Sequence, residues 1–246
     1  MKLTNVPLLA ASLLLPLVFD GCGLETSSAR SEPTKFLKST GTDSSQKIAR
    51  LPFDSSWRDP QVDISKYKYI IVRPVKLSYL RDDQWMESKS SLIPSERSYR
   101  KRCSALADSW NKSLSRAFSE PLCAFYKTTD TGRPGTLILE IALTEVRFSQ
   151  TVPKKDASSY PAEGIVTAVT GAPLCAFEAR IRDADSGKLV ATAADRRGPE
   201  IKVIEEASTD LAAPNKSICD EWSQQLMQAG NKDIYPTVKR KWFSIF

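Results

Sequence analysis

The stretch Cys175–Ala194 constrains the fold more than any other part of the chain. Two runs, Cys175–Arg182 and Lys188–Ala194, flank Asp183-Ala-Asp-Ser-Gly187. Asp and Ser hydrogen-bond their own turn backbone, and Gly accepts positive φ without a steric penalty, so the five residues reverse the chain. The result is a β-hairpin, and a hairpin commits the domain to a sheet with at least one antiparallel pair.

The other elements are fitted around that pair. Tyr67–Leu77 crowds β-branched and aromatic residues together, and its Ile70-Ile71-Val72 centre reads as a strand buried on both faces. Leu122–Tyr126 reads as a short strand. Thr136–Phe148 alternates Leu137, Leu139, Ile141, Leu143 and Val146 with polar residues, as a strand covered on one face does. Ser95, with Glu96 behind it, is a helix start. Tyr99, Cys103, Leu106, Ala107, Trp110, Leu114, Ala117 and Phe118 then recur at intervals of three and four, up to the break at Pro121. Ile218, Trp222, Leu226 and Met227 mark a second amphipathic helix that ends near Gly230. Strand, helix, consecutive strands and a closing helix predict an α+β fold: a mainly antiparallel sheet of about five strands, with two helices packed on one face. The first helix is expected to cross between two parallel strands. Leu51–Asp63, with Phe53 and Trp57, is expected to be an irregular aromatic lid on the domain edge.

The N-terminus points to location. Lys2, an apolar run from Val6 to Phe19 and then Gly21 before Cys22 form an export signal. The run is shorter than the ~20 residues that a membrane span needs, and Pro7, Ser12 and Pro16 interrupt it. Phe19-Asp20-Gly21-Cys22 is similar to a bacterial lipobox, which implies a diacylglyceryl group and palmitate on Cys22. That box usually has Leu at the Phe19 position and a small residue at the Asp20 position, so an unanchored periplasmic protein is the alternative. Gly23, rather than an Asp, follows Cys22, which predicts the outer membrane. The expected organisation is a signal over 1–21, a flexible tether over 22–50 in which Lys35–Lys38 docks at most locally, and one domain over 51–246.

The chain contains no histidine. The usual general base, the commonest zinc ligand and the middle member of hydrolytic triads are therefore missing. No Glu-Xaa-Xaa-Glu pair and no phosphate-binding Gly-rich loop between a strand and a helix stands in for them. No cofactor and no metal is expected. A carboxylate enzyme acting on cell-wall or lipid substrates would have to use Asp183, Asp185 and Asp195, the only clustered acids, which more simply serve the turn and an ion pair. The stronger expectation is a non-enzymatic binding or accessory factor. A net charge of +6 favours anionic envelope partners, and the compartment disfavours nucleic acid.

Three further stretches are candidates for contact or cross-linking. In the long connection Ser149–Pro173, Lys154 and Lys155 lie near Ile165, Val166 and Val169, which suits a membrane or partner surface. Arg97, Arg100, Lys101 and Arg102 cluster at the first helix start, either as a solvated face or as an anion site. Val238–Phe246 is basic and then aromatic, and is expected to strap the core or, alternatively, to lie at the interface between head groups and acyl chains. Cys103, Cys123, Cys175 and Cys219 contain no Cys-Xaa-Xaa-Cys. If strands and helices alternate in direction, Cys103 lies roughly 20 Å from the end that holds the other three. A disulfide would then join two of Cys123, Cys175 and Cys219, with Cys123–Cys219 the preferred pair and Cys103 left as a buried thiol.

Several of these segments together resemble a family of bacterial lipoproteins classed as a domain of unknown function, DUF3313. They are Phe36-Leu37, Trp57 with Val62–Val75, Gly135–Val146, the hairpin Glu178–Arg197 with its trailing Asp195-Arg196-Arg197, and Trp222. The resemblance implies an envelope location and brings no catalytic residues with it.

Overall fold

A computed structural model describes residues 32–41, 48, 51–81, 95–120, 125–148, 150–153, 167–170, 173–198, 210 and 212–230. In chain order the elements are α1 (Lys35–Lys38), β1 (Ser55–Arg58), β2 (Tyr69–Val72), α2 (Glu96–Ser119), β3 (Lys127–Thr128) and β4 (Thr136–Arg147). They continue with β5 (Gln150–Pro153), β6 (Thr167–Thr170), β7 (Leu174–Asp183), β8 (Leu189–Arg197) and α3 (Ala213–Gln228). The architecture is α+β. One six-stranded mixed sheet runs in the order β1-β8-β7-β4-β2-β3, and β5 pairs with β6 in a separate two-stranded ribbon.

The hairpin β7–β8 sits inside the sheet, with Ala179 opposite Ala193 and Phe177 opposite Asp195. β4 pairs antiparallel with β7, and β2 lies parallel to β4, so α2 is the crossover between two parallel strands. The sheet has one strand more than expected because Ser55–Arg58, read from sequence as an irregular lid, pairs antiparallel with β8. The connection 149–173 likewise contains a strand pair, with Gln150 opposite Thr170 and Pro153 opposite Thr167. Of the expected strand at Leu122–Tyr126, residues 122–124 lie outside the described residues and Phe125 and Tyr126 are not in a strand; the adjacent Lys127–Thr128 is one and pairs with β2.

The sheet buries one face under α2 and α3. Leu137, Leu139, Ile141 and Leu143 point into that core; a bulge between Leu143 and Glu145 then shifts the parity, so that Val146 and Phe148 continue it. α2 starts at Ser95, whose side chain accepts from the Ser98 amide, and its eight buried residues are those that the spacing predicts. At its end Glu120 is extended, as the residue before a proline must be. Trp110, Phe177 and Trp222 are each no more than 1 % exposed and stack within 4.7–5.6 Å of one another, one from each of α2, β7 and α3. Gly135 opens β4 at φ +76, and a Cβ there would lie 2.9 Å from the Lys66 carbonyl oxygen.

The expected alternation of directions fails after α2. β3 and β4 both run parallel to β2, so β7, antiparallel to β4, begins beside β4's end, with Cys175 opposite Val146. Cys175 therefore lies at the end of the domain where α2 starts, with Cys103, and not at the opposite end. The separation expected between Cys103 and Cys175 is thereby corrected.

Candidate functional site

The second face of the sheet carries the arrangement that sequence reading did not assemble. On β7 the side chains alternate: Cys175, Phe177 and Ala179 face the helices, so Glu178 and Arg180 face the other way. Glu178 is only 4 % exposed, and its carboxylate accepts from the Thr34 amide (2.6 Å), the Thr34 hydroxyl (2.6 Å) and the Leu37 amide (3.3 Å). Thr34 in turn caps α1 by accepting from the Phe36 amide. The short helix buries Phe36 and Leu37 against Ala142, Tyr79 and Ala194. Phe36 meets the Tyr79 ring edge-on at 5.1 Å and lies under the Arg180 guanidinium at 4.2 Å. Part of the stretch expected to be a flexible tether, residues 32–41, is thus a clip fastened to the sheet.

Around the clip the face is held by ion pairs. Glu140 takes Arg180 at 2.6 Å and Lys76 at 2.7 Å. Burial by itself would raise its carboxyl, but the hydrogen bonds from Arg180 and Lys76 prevail and hold it at about 2. Glu145 takes Arg196 at 2.8 Å and Arg81 at 3.4 Å. Lys35, Lys38, Lys76, Arg81, Arg180, Arg182 and Arg196 outnumber Glu32, Glu140, Glu145 and Glu178, so this face is net basic. Beside it, Glu32, Lys35, Lys38, Tyr79 and Arg81 line an open depression of about 370 Å³.

On the helix side a smaller apolar cavity of about 70 Å³ lies among Phe53, Trp57, Ile70, Phe118, Leu139 and Leu226, with Arg58 and Thr192 as its polar lining.

The acids expected to cluster are separated. Asp183 and Asp185 occupy the hairpin turn, while Asp195 faces Phe177, six residues back along β7 and roughly 20 Å away. Asp183 accepts from the amides of Asp185 and Ser186 and from the Tyr67 hydroxyl at 2.6 Å. Burial would raise its carboxyl, yet these bonds hold it at about 2, while burial and the neighbouring Asp183 push the Tyr67 hydroxyl up. Asp195 lies under α3 and accepts from the Trp222 indole at 2.7 Å, the Arg197 guanidinium at 2.6 Å and the Asp54 amide at 3.1 Å. Burial raises its pKa despite Arg197. Asp183 fastens the turn and the Tyr67 side chain, with Asp185 beside it in the same turn, whereas Asp195 holds Trp222 and the Asp54 backbone and does not meet the other two. Of the α2 cations, Arg100 pairs with Glu96 at 2.7 Å, and Arg102 lies 4.2 Å from the Phe148 ring centre.

Cys103, Cys175 and Cys219 are buried free thiols at one end of the core. Cys22, Cys123, Lys154, Lys155, Ile165, Val166 and the aromatic tail Val238–Phe246 lie outside the described residues. Val169 is in β6, opposite Thr151. Among the described residues no group of three or more Cys, Asp or Glu is placed to hold a metal ion. Glu178 and Thr34 were missed because they stand 144 positions apart. The one available signal was a lone carboxylate inside the apolar run Leu174–Ala179.

The profile of the family described as Protein of unknown function (DUF3313) matches residues 34–226. The chain belongs to this family. The DUF3313 match opens at Thr34, the residue that fastens the clip, and closes at Leu226 in α3. No curated protein matches the chain. Among solved structures, the chain is similar to the PelC dodecamer from Paraburkholderia phytofirmans, at 12% identity and TM-score 0.32 over 69% of this chain and 95% of that one. A minor lipoprotein from Acinetobacter baumannii matches at 11% identity and TM-score 0.30, over 67% and 93% of the two chains. A putative neuraminyllactose-binding hemagglutinin homolog from Helicobacter pylori matches at 12% identity and TM-score 0.34, over 73% and 88%.

Proposed function

We propose that this DUF3313 protein is an exported, non-enzymatic envelope protein, held by a lipid on Cys22 at the periplasmic face of the outer membrane, where its clip face meets an anionic surface. The observation that carries this reading is the clip. A tether over 22–50 would let the domain drift about 100 Å from its lipid, whereas fastening at Thr34 leaves 12 residues, or at most ~40 Å of extended chain. The face nearest the anchor is the one on which cations outnumber carboxylates, and each cation near an anionic leaflet contributes about 1 kcal/mol. The absence of histidine and the separation of Asp183 and Asp185 from Asp195 support binding over catalysis. Among the described residues no helix is long and apolar enough to cross a membrane. The segment 154–166, which joins β5 to β6, is a second place for contact through Lys154, Lys155, Ile165 and Val166.

Two measurements test the reading. Globomycin treatment with membrane fractionation should accumulate an unprocessed precursor; a soluble periplasmic protein with an unmodified N-terminus would refute the anchor. The chain from Gly23 onward should float with phosphatidylglycerol vesicles, and reversing both Lys35 and Lys38 to Glu should weaken that binding at least about 25-fold. Equal binding by the variant would remove the clip face from the proposal.

A further inference from the structure

The helix-side core gathers three thiols that the proposed function does not use. Cys175 is 0 % and Cys219 1 % exposed, and neither has a role in the ion pairs or the clip. Asn215 on α3 donates its side-chain amide to the Cys175 sulfur at 3.1 Å and to the Leu174 carbonyl at 3.2 Å, which seats this turn of the helix directly on the start of β7. Cys219 is one turn further along the same buried face of α3. The contact of Asn215 with the Cys175 sulfur places this buried face of α3, and Cys219 with it, beside Cys175. Cys103 bonds instead to Tyr99 on its own helix and reaches Cys175 only through a longer electrostatic interaction.

We infer that Cys175 and Cys219 are a structural disulfide of the exported protein, joining the central strand β7 to the closing helix α3, while Cys103 stays a thiol. The oxidant is a protein or small-molecule disulfide: a thiolate of the pair attacks it, a mixed disulfide forms, and the second thiolate displaces the reduced leaving thiol. The two thiols lose two protons and two electrons, and the oxidant becomes a dithiol. The Asn215 amide finds an acceptor in the sulfur in either state. Burial pushes the Cys219 thiol well above its ordinary range, and contact with Cys175 adds to this, so the native core excludes the thiolate chemistry. The bond is therefore made while the chain folds, and is then sealed from reductants.

The test does not depend on export. The full chain from Gly23, unfolded and reduced, is refolded in a glutathione redox buffer, its free thiols are alkylated under denaturing conditions, and the peptides are mapped without reduction. The expected result is a linked Cys175–Cys219 peptide, alkylated Cys103, and the same link in a Cys103→Ser variant. A Cys175→Ala/Cys219→Ala double variant should lose the 2-Da mass difference between oxidised and reduced chains. It should also melt at the same temperature with and without reductant during refolding, whereas the parent should melt several degrees higher when oxidised. Alkylation of both Cys175 and Cys219, or a link of either to Cys103 or Cys123, would overturn the inference. Mapping the same peptides from envelope fractions bears on export alone: a link formed in vitro but missing in cells would count against the proposed location and leave the geometry standing.

Discussion

Replacing Glu178 by Ala should unfasten the clip without unfolding the domain. The three hydrogen bonds that the carboxylate accepts from Thr34 and Leu37 each contribute roughly 1.5–3 kcal/mol when the acceptor is charged. Burial of Phe36 and Leu37 contributes about 3–6 kcal/mol in all. Against these, ordering the backbone of Thr34–Lys38 costs about 1–2 kcal/mol per residue, so about 5–10 kcal/mol. Apolar burial alone leaves the segment close to balance, and the Glu178 bonds decide the outcome. Discounted by half because Thr34 is partly exposed, their loss of about 2–4.5 kcal/mol should raise the detached population by a factor of roughly 30 to 2,000. Hydrogen exchange followed by mass spectrometry on peptides spanning 34–41 reads this directly, with peptides from Thr136–Arg147 as the internal control. Exchange in 34–41 should accelerate by that factor while the β4 peptides remain protected, and trypsin should gain access after Lys35 and Lys38. Unchanged exchange in both Glu178→Ala and Glu178→Gln would show that apolar contact alone holds α1, and the reasoning would fail.

Three further outcomes are expected. The folded-state pKa of Glu140 is depressed to about 2, so the stability it contributes is present above pH ~4.5 and is lost as pH falls through 2; acid titration of Glu140→Gln, followed by circular dichroism, should show a shallower loss across that window. Trp222→Phe removes the indole donor from the buried Asp195 carboxylate and should cost about 1–3 kcal/mol in denaturant unfolding, with Trp222→Ala costing about 3–5 kcal/mol from the vacated core. Gly135→Ala combines positive φ with a 2.9 Å approach to the Lys66 carbonyl and should lower stability by at least about 1–2 kcal/mol, while Gly132→Ala, where a Cβ meets nothing within 4 Å, should change it by less than about 0.5 kcal/mol in the same assay.

The elements that could be read from sequence are those specified by local pattern. The Asp183–Gly187 turn carries its own chemistry, and the eight apolar positions of α2 repeat at the period of a helix that buries one stripe. β4 reads as a strand because its apolar residues alternate, while its bulge between Leu143 and Glu145 shows only in the pairing with β7. Sequence alone therefore determined that this chain builds a sheet around one hairpin, with two amphipathic helices on one face, and which side chains those helices bury. It did not determine partners. Ser55–Arg58 has too few apolar residues to read as a strand and becomes one because the β8 edge offers its backbone groups a ladder. The direction of β4, and with it the end of the core to which Cys175 belongs, depended on β3 and β4 both running parallel to β2. The clip depended on a carboxylate and a threonine 144 positions apart. Local periodicity records which face of an element is buried, but carries no information about what lies opposite it. That choice is made by packing between segments distant in the chain, and here it separated Asp183 from Asp195, gathered three cysteines at one end and turned part of a tether into a fastened clip.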